Sequence, residues 1–295
     1  MPDFTTDDGV RLSWTEQGDP AGRPVVLIAG FKAPATSWKP QQGPLAEAGY
    51  RVISFDRRGH GLSERTEAGA TMLRHGADLA QLLRHLDLCG AALVGGSMGG
   101  NSIWAFLAGS AGGTAGGTDE STGASTGESA DESTDESTDE SRVDRIVIVD
   151  QTPRMLNGDD WPYGFYDYTE ANRDTLFATT IPDPGRWSVA SKGPVRIARL
   201  LKALGGGERR ELTETERRLL NDHATADWRP VIARTSVPVL FVAGRESEFW
   251  PAEHAAAAAS LAPRGDSLVI EKDGHAANIE QPKAFTEALL EFLAR

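Results

Sequence analysis

A series of short, unbroken apolar runs constrains this chain more than any other feature. Pro24-Val25-Val26-Leu27-Ile28-Ala29 stops at Gly30, and Arg51-Val52-Ile53-Ser54-Phe55 stops at Asp56. Ala91-Ala92-Leu93-Val94 leads into Gly95, Arg145-Ile146-Val147-Ile148-Val149 into Asp150, and Pro238-Val239-Leu240-Phe241-Val242-Ala243 into Gly244. None of them alternates strictly between polar and apolar, so each predicts a strand buried on both faces, as in a parallel sheet. Parallel neighbours need crossovers, and helical patterns fall between the runs at about 38–48, 72–88, 98–109, 252–262 and 282–294. The fold class predicted is α/β, a mostly parallel, doubly wound sheet, with Val10 through Thr15 as an antiparallel edge.

Two segments interrupt this rhythm. Residues 110–141 are low in complexity, end in near-perfect Asp-Glu-Ser-Thr repeats, and hold no aromatic and no aliphatic residue larger than alanine. Such a stretch cannot bury enough surface to offset its ordering entropy, so it reads as a disordered acidic insertion within the core. Residues 154–234 instead carry Trp161, Tyr163, Phe165, Tyr166, Tyr168, Phe177, Trp187 and Trp228, with helical patterning near 194–204 and 211–222. An aromatic-rich helical insert predicts a lid over the carboxyl ends of the strands, where α/β folds place their ligands. The core then comprises residues 1–153 and 235–295.

Chemistry concentrates at Gly95-Gly96-Ser97-Met98-Gly99-Gly100, which joins the apolar strand 91–94 to the helix beginning near Asn101. A nucleophile on a sharp strand-to-helix turn needs small neighbours, and the turn aims backbone N–H groups at any developing oxyanion. The Gly-x-Ser-x-Gly pattern alone is weak, since it recurs by chance at Gly123-Ala124-Ser125-Thr126-Gly127, with no strand before it and no helix after it.

With its other landmarks, the chain resembles the α/β-hydrolase superfamily, as a serine-nucleophile, lid-containing, esterase- or haloperoxidase-like member. Asp56-Arg57-Arg58-Gly59-His60-Gly61-Leu62-Ser63 looks like the family's D-x-R-G-x-G-x-S turn, and Gly274-His275 stands between a last strand near 267–271 and the final helix. The resemblance makes Ser97 the nucleophile and His275 its general base. It makes the backbone N–H groups of Phe31 and Met98 the oxyanion hole. Ala29 replaces the histidine often found beside that loop's glycine, which leaves the Phe31 donor in place.

The triad acid stays open at this stage. Many members carry it four positions into a turn like Gly244-Arg245-Glu246-Ser247-Glu248, but here that position is Ser247, which cannot supply charge. Asp150, ending the run 145–149 on a strand two positions after the nucleophile's, is the first choice; Glu246 and Glu248 are the alternatives. Of the other histidines, His60 reads as structural in its turn, whereas His75, His85, His223 and His254 read as surface positions. No pair of histidines has metal-ligand spacing with supporting carboxylates, so no metal is expected, and the resemblance implies no cofactor.

Composition narrows the class further. Nine acids lie in 110–141 with no lysine or arginine, so the net charge of −13 falls to −4 once these nine are set aside. Neither nucleic acid nor an anionic membrane is an expected partner; a small molecule is. Cys89, the sole cysteine, excludes an intrachain disulfide, and the first residues lack a basic and apolar leader, so a cytoplasmic location is expected. The function expected is hydrolysis of a small carboxylic ester or lactone through an acyl-enzyme. The alternatives are a cofactor-free peroxidase or perhydrolase on the same triad, and a non-catalytic ligand-binding protein on a hydrolase fold.

Overall fold

The computed structural model describes residues 1–110, 139–187, 189–204 and 211–295. Its strands are β1 (Asp3–Thr5), β2 (Arg11–Gly18), β3 (Pro24–Ile28), β4 (Arg51–Phe55), β5 (Ala91–Gly96), β6 (Val143–Val149), β7 (Val239–Gly244) and β8 (Gly265–Ile270). They form one eight-stranded sheet in the order β1-β2-β4-β3-β5-β6-β7-β8. β1 and β2 run antiparallel at one edge, and every pairing from β4 onward is parallel. The mostly parallel α/β fold read from the apolar runs is therefore the observed one. One detail differs: the run 145–149 was expected two places from the nucleophile strand, yet β6 pairs directly with β5.

Between the strands lie α1 (Lys39–Glu47), α2 (Met72–His85), α3 (Met98–Ser110), α4 (Gly193–Leu204), α5 (Glu214–Thr225), α6 (Arg229–Arg234), α7 (His254–Leu261), α8 (Ala277–Glu280) and α9 (Pro282–Leu293). Two hydrophobic layers cover the sheet. One joins Leu79 and Leu82 of α2, Ile103 and Trp104 of α3 and Ala255 and Ala258 of α7 to one face of the strands. The other joins Leu45 of α1 and Phe285, Leu289 and Phe292 of α9 to the opposite face. α3 is buried from Met98 to Ala108, so its apolar residues surround the axis rather than forming a stripe. Each fully buried side chain of the size of Trp104 or Phe106 contributes roughly 1.5–3 kcal/mol.

The register places the site. Ile28 stands level with Gly95, Gly96 with Val149, and Val149 with Val242. The loops leaving β3, β5, β6 and β7 therefore rise from a common carboxyl edge, which collects residues far apart in sequence beside the point where the strand order reverses about β3.

The acidic insertion assigned to 110–141 falls almost wholly on residues outside those described; the chain re-enters through a short 3-10 turn at Asp139–Arg142. The segment after β6 begins with irregular loops held by aromatic packing. Phe165 stacks edge-on against Phe177, which also meets Tyr168. Helices α4 and α5 follow, close to the helical patterning read near 194–204 and 211–222, and then the short α6, which that reading did not include.

Close backbone packing at the β5–α3 turn generates a prediction. A Cβ on Gly99 would stand 2.4 Å from the Ile28 carbonyl oxygen. Gly99→Ala is expected to destabilise the fold by about 3 kcal/mol, read as a lowered thermal midpoint, because backbone rather than a movable side chain must yield.

Candidate active site

Ser97 sits at the end of β5 with φ +51°, a left-handed backbone conformation unusual for a residue with a side chain. Its amide donates to the Val149 carbonyl at 2.9 Å, and the Gly100 amide donates back to the Ser97 carbonyl at 2.8 Å. This tight turn lifts the side chain above the sheet edge. Glycine at 30 permits the next loop to touch it, since a Cβ there would meet Ser97 Cβ at 3.0 Å. Gly30, Phe31, Gly96, Ser97, Val149 and His275 line one cavity of about 120 Å³, which Trp38, Leu204 and Ile279 also line.

His275 and Asp150 meet across the edge. His275 Nδ1 lies 2.7 Å from Asp150 Oδ2. The carboxylate is fully buried at φ +45°, and it also accepts the Ser247 hydroxyl at 2.6 Å and the Gly244 amide at 3.0 Å. Burial pushes the Asp150 carboxyl up, but the facing His254 and His275 outweigh it and hold the group at about 2. Ser247, at the position where the resemblance would place the acid, instead donates its hydroxyl to Asp150, the residue that follows β6. Glu246 and Glu248 do not reach the imidazole. Glu246 pairs with Arg196 at 2.7 Å. Glu248 accepts the backbone amide of His275 at 2.9 Å while its other oxygen meets Lys192 at 2.6 Å.

That last contact belongs to a buried ionic clamp which sequence reasoning missed. Lys192 Nζ and Arg196 Nε both reach Glu280, at 2.9 and 2.8 Å, and Arg199 donates to the Glu280 carbonyl at 2.7 Å. These cations precede and enter α4, Glu280 ends α8, and Glu248 holds the histidine loop, so the clamp ties the insert to His275. Asp273, beside it, finds no hydrogen-bond partner for either oxygen among the described residues. Burial first, then Glu280 and Asp150, raise it to about 9, which keeps it protonated at neutral pH.

The loop that follows β3 is pinned from beneath. The buried Arg57 donates to the carbonyls of Ala29 and Gly30, each at 2.9 Å. His75 Nδ1 and His60 Nε2 stand 3.1 and 3.2 Å from the same guanidinium. Burial, then the Arg57 charge, lowers His60 to about 3 and holds His75 well below its usual range, so both are neutral and can accept. Asp56 anchors its own turn through the Leu62 amide and reaches the Ala35 amide as well.

Several histidine assignments need correcting. His75, His223 and His254 were expected at the surface, yet all are buried. His75 faces inward from α2 onto Arg57, and His223 Nδ1 meets Asn101 at 3.2 Å. His254 Nε2 stands 3.5 Å from Asp150 Oδ1, behind Trp250. A helical position alone does not reveal facing when the partner is a buried charge, and that is why the surface default failed. His85 is exposed and stacks on Phe4. Among the described residues, no cluster of three or more His, Cys, Asp or Glu side chains is placed to hold a metal ion.

A family model described as "Alpha/beta hydrolase family" matches residues 25–288. The chain belongs to the alpha/beta hydrolase family. It is 39% identical over 108 residues to a non-heme chloroperoxidase of Streptomyces lividans, a stretch covering 37% of this chain and 39% of that protein. The match thus spans about two fifths of the relative's length. Over essentially the whole of both chains, the fold superposes on a bromoperoxidase from Bacillus anthracis (TM-score 0.72, 23% identity, 100% of each chain). An esterase from Exiguobacterium antarcticum gives a TM-score of 0.74 at 20% identity, covering 99% of each chain. At these identities the two structures establish the shared hydrolase fold. Among the described residues no helix is long and apolar enough to cross a membrane.

Asp273 generates a pH prediction. Its carboxyl is raised in the fold, so the unfolded chain releases this proton first, and the group erodes stability as pH climbs from about 4 toward 9. Asp273→Asn is expected to be more stable than the parent at pH 8, by roughly 1–2 kcal/mol, and indistinguishable at pH 4. Thermal unfolding across that range checks both ends.

Proposed function

We propose that this chain is a serine hydrolase that cleaves a small carboxylic ester or lactone through an acyl-enzyme. The observation that carries the reading is the 2.7 Å contact between His275 Nδ1 and the buried, ionised Asp150, made by the histidine that shares a cavity with Ser97. Asp150 orients the imidazole and stabilises its charged form; His275 takes the Ser97 proton as Oγ attacks the acyl carbonyl, then delivers it to the leaving alkoxide. The amides of Phe31 and Met98 face the oxyanion from the β3 loop and the start of α3, with Arg57 holding the loop's carbonyls away from it. Water then repeats the sequence on the acyl-enzyme. No step calls for a cofactor.

Cavity size and walls favour a short, apolar acyl or alkyl group. A volume of about 120 Å³ is comparable with the roughly 150 Å³ that holds benzene in an apolar protein cavity. The aromatics of the insert are absent from the described lining of the Ser97 cavity; Phe165, for one, packs on Phe249 and Trp250. Phe31 and Trp38 supply the aromatic wall instead, and Leu204 is the described insert residue that reaches it. We assign the insert 154–234 as a lid on that contact and on the ionic clamp.

The partial likeness to a non-heme chloroperoxidase favours a second reading, perhydrolysis on the same triad with peroxide in place of water. Acetate-dependent bromination beside ester hydrolysis separates the two.

Labelling with a fluorophosphonate probe tests the primary reading. The folded protein is expected to react stoichiometrically, Ser97→Ala and heat-denatured protein not at all, and methyl to butyl esters to be turned over. A folded protein that resists several such probes and binds a small ligand without turnover would instead establish a non-catalytic binding protein.

A further inference from the structure

A second concavity adjoins the Ser97 cavity and is built from the neighbours of its walls. Thr36 precedes Ser37, Lys39 follows Trp38, Ala203 precedes Leu204, and Ile279 lines both spaces. The second space measures about 410 Å³ and lies between the start of α1, the end of α4, α8 and Pro282. Its apolar surface comes from Pro40, Ala203, Ile279 and Pro282; its charge comes from Lys39, Arg199 and Lys202.

The charge is unbalanced. No aspartate or glutamate is among the described lining residues. Arg199 spends one N–H on the Glu280 carbonyl, a neutral acceptor. Lys39 and Lys202 make no ion pair among the described residues. Arg58, by contrast, is met by both Asp8 and Asp78. Clustered cations repel one another, and an arrangement left without a counter-charge beside a reaction cavity attracts and orients an anion.

We propose that this groove receives the anionic end, a carboxylate or phosphate, of an ester whose carbonyl lies at Ser97. The substrate class is then a short chain carrying an ester at one end and an anion at the other, rather than a fully neutral ester. This rests on the serine hydrolase reading above. The apolar surface shared through Ile279 accommodates the methylene chain, and the cations meet its end. They are solvent-exposed, so the attraction is screened by salt and modest for each charge.

The test measures kcat/KM for methyl esters of straight-chain acids against monomethyl half-esters of dicarboxylic acids of the same length, over a series of chain lengths. Esters of equal length ending in a phosphate form a third arm and identify which anion is preferred. At low ionic strength one anionic series is expected to exceed the neutral series by about tenfold at its best length. That ratio should fall toward one in about 0.5 M NaCl and in Lys39→Gln/Lys202→Gln. Arg199 is left in place because it also supports Glu280. Anionic esters equal to or slower than neutral ones at every length would overturn the proposal while leaving ester hydrolysis standing. A preference indifferent to salt and to the double variant would overturn it as well. Calorimetric binding of monomethyl adipate and methyl hexanoate to Ser97→Ala reads the groove without turnover. Equal affinity there would contradict the proposal even if no ester proved to be a substrate.

Discussion

A carboxylate with no access to water, Asp150, sets the terms for everything around it. A buried ionised group survives only if its oxygens are met by donors, and each donor here comes from a different part of the chain: Gly244 from the end of β7, Ser247 from the turn beyond, His275 from the loop after β8. Satisfying one charge therefore fixes the relative positions of three loops. The parallel register makes this possible, because it ends β5, β6 and β7 at one level and delivers Ser97 and Asp150 to the same edge. Removing the charge would leave those donors without an acceptor as well as the imidazole without a partner.

The histidine loop is held a second time, from the insert side. Glu248 grips the His275 amide and hands its other oxygen to Lys192, whose ammonium lies against Gly274 and pairs with Glu280. The insert, which reaches the cavity through Leu204, and the loop that carries the proposed base thus share one set of ion pairs. Buried pairs of this kind gain little net stability, but breaking one leaves a stranded charge, so they favour a single arrangement over its alternatives. In the proposed mechanism, insert position and imidazole position change together or not at all.

Much of this was legible beforehand, and the reasons differ by element. Continuous apolar runs report burial on both faces, so the parallel strands and their order of appearance were readable. Ser97 stood out because the same five-residue pattern at 123–127 lacks a strand before it. Asp150 could be preferred because Ser247 occupied the usual place, yet the stabilising role of that serine needed coordinates. Periodicity failed where a polar residue faces inward toward charge: His75, His223 and His254 lie on helices and look like surface positions until Arg57, Asn101 and Asp150 are placed behind them. The clamp was invisible because Lys192, Glu248 and Glu280 are far apart in sequence and share no motif. Aromatic content likewise says nothing about which way rings face, and the rings of the described cavity wall, Phe31 and Trp38, come from outside the insert.

The central claim is that Asp150, and neither nearby glutamate, partners His275. Ester hydrolysis by Asp150→Asn, Glu246→Gln and Glu248→Gln, each confirmed folded, tests it most directly. The account predicts that Asp150→Asn loses about 10³–10⁴ in kcat while the two glutamate variants stay within about tenfold of the parent. An Asp150→Asn enzyme that keeps most of its turnover, beside a Glu246→Gln or Glu248→Gln enzyme that loses several orders, would contradict it.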